Sequence, residues 1–187
     1  AVAVAGVATF TGLSVSYAAL ADQEAFALQA SSGSLTAASS SSLTADVVAT
    51  QLAYATQPAP LLAVSGAVLD FSTDPVVEAR DGNGTRDTGF TGTVTLAETG
   101  AGTATYANNS VAAVAGVATF TGLTVTYTAT ADQEAFALQA ANGALTAANS
   151  SSITANVVAT QLVFTTQPAP LIGTSGTALD FSTDPVV

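Results

Sequence analysis

Four oxygen-bearing side chains stand at alternate positions in one short stretch: Asp81, Asn83, Thr85 and Asp87, within RDGNGTRD (80–87). This is the spacing with which a calcium loop of the EF-hand type begins. Asp81, Asn83 and Asp87 are therefore the candidate metal ligands, with calcium as the candidate cofactor. The downstream bidentate glutamate and the flanking helices of such a loop are missing. The same letters, with Asp-Gly and Asn-Gly both present, also spell a tight polar turn between two strands. A second acidic arrangement recurs, since Asp132 and Glu134 reappear as Asp22 and Glu24. With Asp74 and Glu78 they offer oxygens for calcium at a junction. A pair two apart on one strand face is also what carboxylate-only chemistry such as glycoside hydrolysis would require. The plainer reading is a set of solvated acids that keep a weakly charged β-surface soluble and its edges unpaired.

The remaining alphabet excludes most other chemistry. The chain of 187 residues has no Cys, Met, Trp, His or Lys, and its cations are Arg80 and Arg86 alone. Disulfides, thiolate or His-ligated metals, imidazole bases, Schiff bases and Lys–Asn isopeptide links are all out of reach. Enzymatic function is not expected. A formal net charge of −11 makes a nucleic-acid or anionic-membrane partner improbable, because phosphate contacts need Arg and Lys. Ala and Val are spread among Thr and Ser, so no apolar run is long enough to span a bilayer. Three N-x-S/T sequons, at Asn83, Asn108 and Asn149, are of the number that chance gives in a chain so rich in Ser and Thr.

The elements that would position these residues are strands. In LTVTYT (123–128), Leu123, Val125 and Tyr127 alternate with Thr124, Thr126 and Thr128. TGTVTLA (91–97) sets Val94 and Leu96 opposite Thr93 and Thr95, and EAFALQA (134–140) puts Phe136 and Leu138 on one face. Parity slips between Phe120 and Leu123, which predicts a bulge or sharp bend at Gly122. DPVV (74–77) reads as a strand entry, TQPAP (56–60) as an extended break in the first strand, and 31–45 as a hairpin with exposed hydroxyls. Tyr54, Phe90 and Tyr106, the candidate exposed aromatics, are expected mostly in the core.

The sequence also repeats itself at an offset of 110. ADQEAFALQA (21–30) returns unchanged at 131–140, and LDFSTDPVV (69–77) returns at 179–187. Across the 77 comparable positions, 57 are identical. The exchanges conserve volume: Ser14 is matched by Thr124, Leu43 by Ile153 and Tyr54 by Phe164. Near-identity of this kind marks a tandem array. With the boundary near VVATQL (47–52 and 157–162), residues 1–49 form the C-terminal part of one unit, 50–159 a complete unit, and 160–187 the opening of a third. Strand-sized segments at short spacing over 110 residues describe a β-sandwich of about 7–9 strands per unit.

ATQLVFTTQPAP, PVVEARDGNG, TGTVTLA and VAGVATFTGLTV, with Tyr127 following, resemble in order the bacterial immunoglobulin-like repeats of giant surface proteins, of the invasin/intimin and adhesin type. The turn DGNGTRD departs from the Asp-x-x-Gly-Asn turn of many such repeats, so the resemblance does not carry a calcium role with it. It implies an extracellular or cell-surface location and a structural module of a stalk or filament, partnered by neighbouring repeats of its own chain or by identical chains. The alternatives are a ligand-binding adhesin repeat and a self-assembling sheath or matrix fibre subunit. The chain then reads as a window on a longer repetitive polymer.

Overall fold

The computed structural model describes all residues, 1–187. The fold is all-β and β-sandwich-like, with no helix. Four short strands come first: β1 (Glu24–Phe26), β2 (Gln29–Ala30), β3 (Ala38–Ser39) and β4 (Leu43–Ala45). Next are β5 (Gln51–Thr56), β6 (Leu62–Val64), β7 (Val68–Asp70), β8 (Val76–Arg80), β9 (Thr93–Glu98) and β10 (Thr103–Ala107). The series closes with β11 (Ser110–Ala112), β12 (Val117–Thr119), β13 (Thr124–Thr128), β14 (Glu134–Phe136), β15 (Leu138–Ala141), β16 (Ala148–Asn149) and β17 (Ile153–Asn156). They form open sheets in the orders β12-β8-β5, β10-β13-β7, β11-β9-β15-β16 and β14-β17-β6, beside the pairs β1-β4 and β2-β3. Every pairing is antiparallel except that of β17 with β6.

The chain divides into two compact units, Ala1–Asn156 and Val157–Val187. In the first, one core cluster draws its members from Leu52 to Ala155. The alternation seen in the sequence accounts for it. Val94 and Leu96 of β9 are buried while Thr93 and Thr95 are exposed, and Val125 and Tyr127 of β13 are buried beneath Thr124, Thr126 and Thr128. Each such Val or Leu, fully buried, contributes about 1.5–3 kcal/mol of transfer free energy. Tyr54, Phe90 and Tyr106 are partly buried and pack against this core.

The predicted punctuation is present. Gly122 has φ +67° and lies in a turn whose Leu123 N–H donates to Phe120 O at 3.3 Å, so Phe120 and Leu123 both face inward. Pro75 is buried immediately before β8, and TQPAP separates β5 from β6. The hairpin expected at 31–45 is displaced: Gln29 pairs with Ser39 and Ala30 with Ala38 across the turn, while Leu43–Ala45 pairs with β1. EAFALQA is not one strand, however. It breaks at Ala137, whose carbonyl accepts Thr99 N–H at 3.0 Å. Phe136 therefore lies in β14 against β17, and Leu138 in β15 against β9. The chain changes sheets at that point, which keeps both side chains in the core.

Residues 14–18, at offset 110 from β13, form no strand. β13 is held on one side by β10 and on the other by β7, and an extended segment without ladder partners gains nothing from its backbone groups. The side chains follow suit: Leu13 is 62% exposed where Leu123 is 0%.

Candidate functional site

The RDGNGTRD stretch closes a polar turn, with Arg80 bridged to Arg86. Asp81 directs it. Its Oδ1 accepts the N–H groups of Asn83 at 2.9 Å and Thr85 at 2.8 Å, and Gly84 N–H donates to Asp81 O at 3.1 Å. This is the local side-chain-to-backbone bonding by which Asp nucleates turns. Asn83 adds only a 3.3 Å contact from Nδ2 to Asp81 Oδ2. Asp87 is engaged elsewhere: Oδ1 accepts Gly89 N–H at 2.8 Å and Oδ2 accepts Ala49 N–H at 2.9 Å. The three candidate ligands thus share a turn, but the carboxylates of Asp81 and Asp87 accept different backbone donors, and the Asn83 amide only donates to Asp81. No group of three or more acidic residues converges to hold a metal.

What Asp87 does join is a clasp between the segment before residue 50 and the turn. Asp22 is its other half. Asp22 Oδ1 accepts Val47 N–H at 2.8 Å, while Oδ2 accepts Thr88 N–H at 2.9 Å and the Thr88 hydroxyl at 2.5 Å. The Thr85 hydroxyl donates to Ala19 O at 3.2 Å. Two carboxylates and two threonines therefore hold the loop 19–22, the link 47–49 and the turn 85–88 together. The Thr88 hydroxyl, followed by Val47 N–H, holds the Asp22 carboxyl down at about 2.

Beside the clasp lies an open cleft of about 470 Å³, bordered by Leu20, Glu78, Arg80 and Arg86. Both cations of the chain are committed to one acid. Arg80 pairs with Glu78 Oε2 at 2.6 Å, and Arg86 reaches Glu78 Oε1 at 3.4 Å. One carboxylate thus offsets half of their positive charge.

The acidic pairs flagged in the sequence as possible chemistry are also engaged with backbone. Glu134 Oε1 accepts the N–H groups of Ala101 at 2.9 Å and Gly102 at 2.8 Å, together with the Tyr127 hydroxyl at 2.5 Å. Its Oε2 accepts Thr130 N–H at 2.6 Å and the Thr130 hydroxyl at 2.8 Å. Two loops are thereby tied to one carboxylate. Its pKa lies at about 2, first because of the Tyr127 hydroxyl and then Thr130 N–H. Tyr127 in turn stacks on Phe136, with ring centroids 4.1 Å apart. Burial, and then its bond to Glu134, raises the Tyr127 hydroxyl above its ordinary value.

The same construction stands 110 residues earlier. The Tyr17 hydroxyl donates to Glu24 Oε1 at 2.8 Å, Leu20 N–H donates to Glu24 Oε2 at 2.6 Å, and Tyr17 stacks on Phe26 at 4.3 Å. A further Tyr–acid pair, Tyr106 with Glu98, joins β10 to β9.

Sequence reasoning singled out the acids but missed their partners. One signal was available: the spacing Tyr–x6–Glu–x–Phe occurs intact in both copies, at 17, 24, 26 and at 127, 134, 136. For Asp22 and Asp87 there was none, because most of their donors are backbone N–H groups that every residue but proline carries.

No family model matches the sequence, and a search of curated proteins found no match. Among solved structures, the chain is similar to a glycosyl hydrolase family 2 member from Bacteroides cellulosilyticus, at 16% identity and a TM-score of 0.41. That likeness covers 64% of this chain and 16% of the other. The comparisons do not single out the invasin/intimin repeats.

Proposed function

We propose that this chain is a structural segment of a long extracellular bacterial surface protein, built from tandem immunoglobulin-like units of 110 residues that form a stalk or filament. In this reading residues 1–49 end one unit, 50–159 make a complete unit, and 160–187 open the next. The observation that carries it is the clasp. Asp22 and Ala19, from before the boundary, are hydrogen-bonded to Thr88 and Thr85 beyond it, while Asp87 holds the link at Ala49. A stalk needs a defined junction between modules, and this one is fixed at several points by short polar contacts. A loose linker would leave the junction free to flex.

The acid side chains support a non-catalytic role. Asp22, Glu24, Asp87 and Glu134 are bound to N–H and hydroxyl donors that hold loops in place. A general acid or base must instead be free to exchange a proton with a substrate. No helix is long and apolar enough to cross a membrane.

The test is single-molecule stretching of the whole chain between its ends. A load-bearing unit over 51–156 unfolds in one step and releases a contour length of roughly 350–380 Å, at about 3.3–3.6 Å per residue. Extension without any force peak overturns the stalk reading.

A further inference from the structure

Asparagine followed by glycine occurs twice in the chain, at Asn83-Gly84 and Asn142-Gly143. Such a pair can react with itself. Glycine carries no Cβ, so its backbone nitrogen can approach the carbonyl carbon of the preceding side-chain amide closely. Whether it does so in a folded protein depends on how firmly the amide and the nitrogen are held.

The fold treats the two pairs differently. Asn142 is half-buried, and its Nδ2 donates to Thr93 O at 2.7 Å. A Cβ built on Gly92 would stand 2.8 Å from the same nitrogen, so this amide is packed against main chain. Asn83 is exposed, in the turn that Asp81 directs. The one hydrogen bond its amide makes runs from Nδ2 to Asp81 Oδ2 at 3.3 Å, and a Cβ built on Gly84 would meet nothing within 4 Å. The Gly84 N–H is held by Asp81 O alone, at 3.1 Å. Exposed turns with so few bonds open at little cost in free energy. Asn83 stays exposed with the loop 19–22 in place against the turn, through Ala19 and Thr85.

We infer that Asn83 is a self-modification site, at which the side-chain amide becomes an acid with solvent water as the co-reactant. The Gly84 nitrogen bonds to the Asn83 side-chain carbonyl carbon. The bond from that carbon to Nδ2 breaks, and ammonia leaves with the proton that Gly84 N–H gives up. Water then adds to one of the two carbonyls of the cyclic imide. Opening at the side-chain carbonyl gives an ordinary aspartyl residue. Opening at the main-chain carbonyl gives an isoaspartyl residue, whose main chain runs through the former side-chain carbonyl carbon. Nothing is oxidised or reduced.

Either product loosens the clasp. The new carboxylate stands beside that of Asp81, where the amide had donated, and like charges repel. The isoaspartyl form also inserts a carbon into the main chain between the N–H groups of residue 83 and Thr85. Both now donate to Asp81 Oδ1, at 2.9 and 2.8 Å, and the lengthened turn no longer brings both to it. The bonds of Thr85 to Ala19 and of Asp87 to Ala49 are anchored on this turn and weaken with it. The change is one-way, so the clasp records the age of the chain. The inference rests on the clasp itself and not on the stalk reading.

Incubation of the whole chain in heavy-oxygen water at mildly alkaline pH tests it, because only acid formed during incubation takes up the label. Trypsin then cuts after Arg80 and Arg86, which separates 81–86, with Asn83, from 87–187, with Asn142. Fragmentation assigns label to residue 83 rather than to Asp81. Labelled acid is expected to accumulate at residue 83 as two isomers, with little in 87–187, and none at this position in Asn83→Gln. In denaturant both peptides are expected to take label, since Asn142 then loses Thr93 O. Protection of the Val47 and Thr88 N–H groups against hydrogen exchange is expected to be lost in the aged chain and kept in Asn83→Gln. An amide that persists at residue 83 overturns the inference. Equal conversion of the two asparagines in the folded chain, or a selectivity that survives denaturant, overturns the assignment of the reactivity to this fold. Exchange that does not change with age overturns the coupling to the clasp.

Discussion

Tyr127 and Glu134 form one unit: the hydroxyl donates to Oε1 at 2.5 Å, and both groups receive the N–H of Gly102, at 2.9 and 2.8 Å. The phenol is buried against Phe136, and the carboxylate faces two loops. Tyr127→Phe keeps the stacking and removes the hydroxyl, which bonds a charged group. It should lower stability by about 1–3 kcal/mol, read as a shift in the denaturant midpoint. Tyr17→Phe should shift that midpoint little, because Tyr17 lies outside the core cluster. Equal effects at the two sites would contradict this assignment.

Acid should loosen the same bonds. The folded pKa values of Asp22 and Glu134, both at about 2, lie below the ordinary carboxylate range. The folded state therefore binds fewer protons than the unfolded one in that interval, and stability rises with pH. Their contribution is fully present above about pH 4–5 and is lost as pH falls through about 2. A melting series from pH 6 to pH 2 should decline over this window, and Glu134→Gln should flatten part of the decline. At the alkaline end the sign reverses. Burial raises Tyr54 and Tyr106 above their ordinary value, so stability should fall as pH climbs past about 10.

Leu123 and Leu13 offer a matched pair, each the last residue of the phrase AVAGVATFTGL but with opposite burial. Leu123→Ala empties a fully buried site and should cost about 2–5 kcal/mol in chemical denaturation. Leu13→Ala, at 62% exposure, should leave the main transition where it is.

Gly116 closes the two-residue turn between β11 and β12 with φ +77°, and a Cβ there would stand 2.1 Å from the carbonyl oxygen of Asp87. Gly6, at offset 110, has φ +80° and open space around it. Both Gly→Ala changes strain the backbone, but only Gly116→Ala must also displace main chain at the clasp. It should destabilise the core over residues 52–155 by well over the roughly 1 kcal/mol that a left-handed alanine costs, whereas Gly6→Ala should leave that transition unmoved. Thermal melting of the two variants separates them.

The sequence alone determined the all-β class, which face turns inward in 91–97 and 123–128, and the bend at Gly122. It did so because a period of two and a parity slip are one-dimensional properties of a chain. It also determined which acids were worth following, since Asp22, Glu24, Asp132 and Glu134 recur unchanged. What those acids bind was decided only by tertiary structure. The Asp22 carboxylate meets Thr88 across 66 residues and Val47 across 25, and Glu134 meets Ala101 across 33. Most of these donors are main-chain N–H groups, identical at nearly every position, so no letter in the sequence announces them. The break at Ala137 was hidden for the same reason. Phe136 and Leu138 alternate as one strand would, and only the placement of β9 and β17 decides that each pairs with a different sheet. Likewise Leu13 and Leu123 are the same letter in the same phrase, and their difference lies wholly in whether strands stand beside them to exclude water.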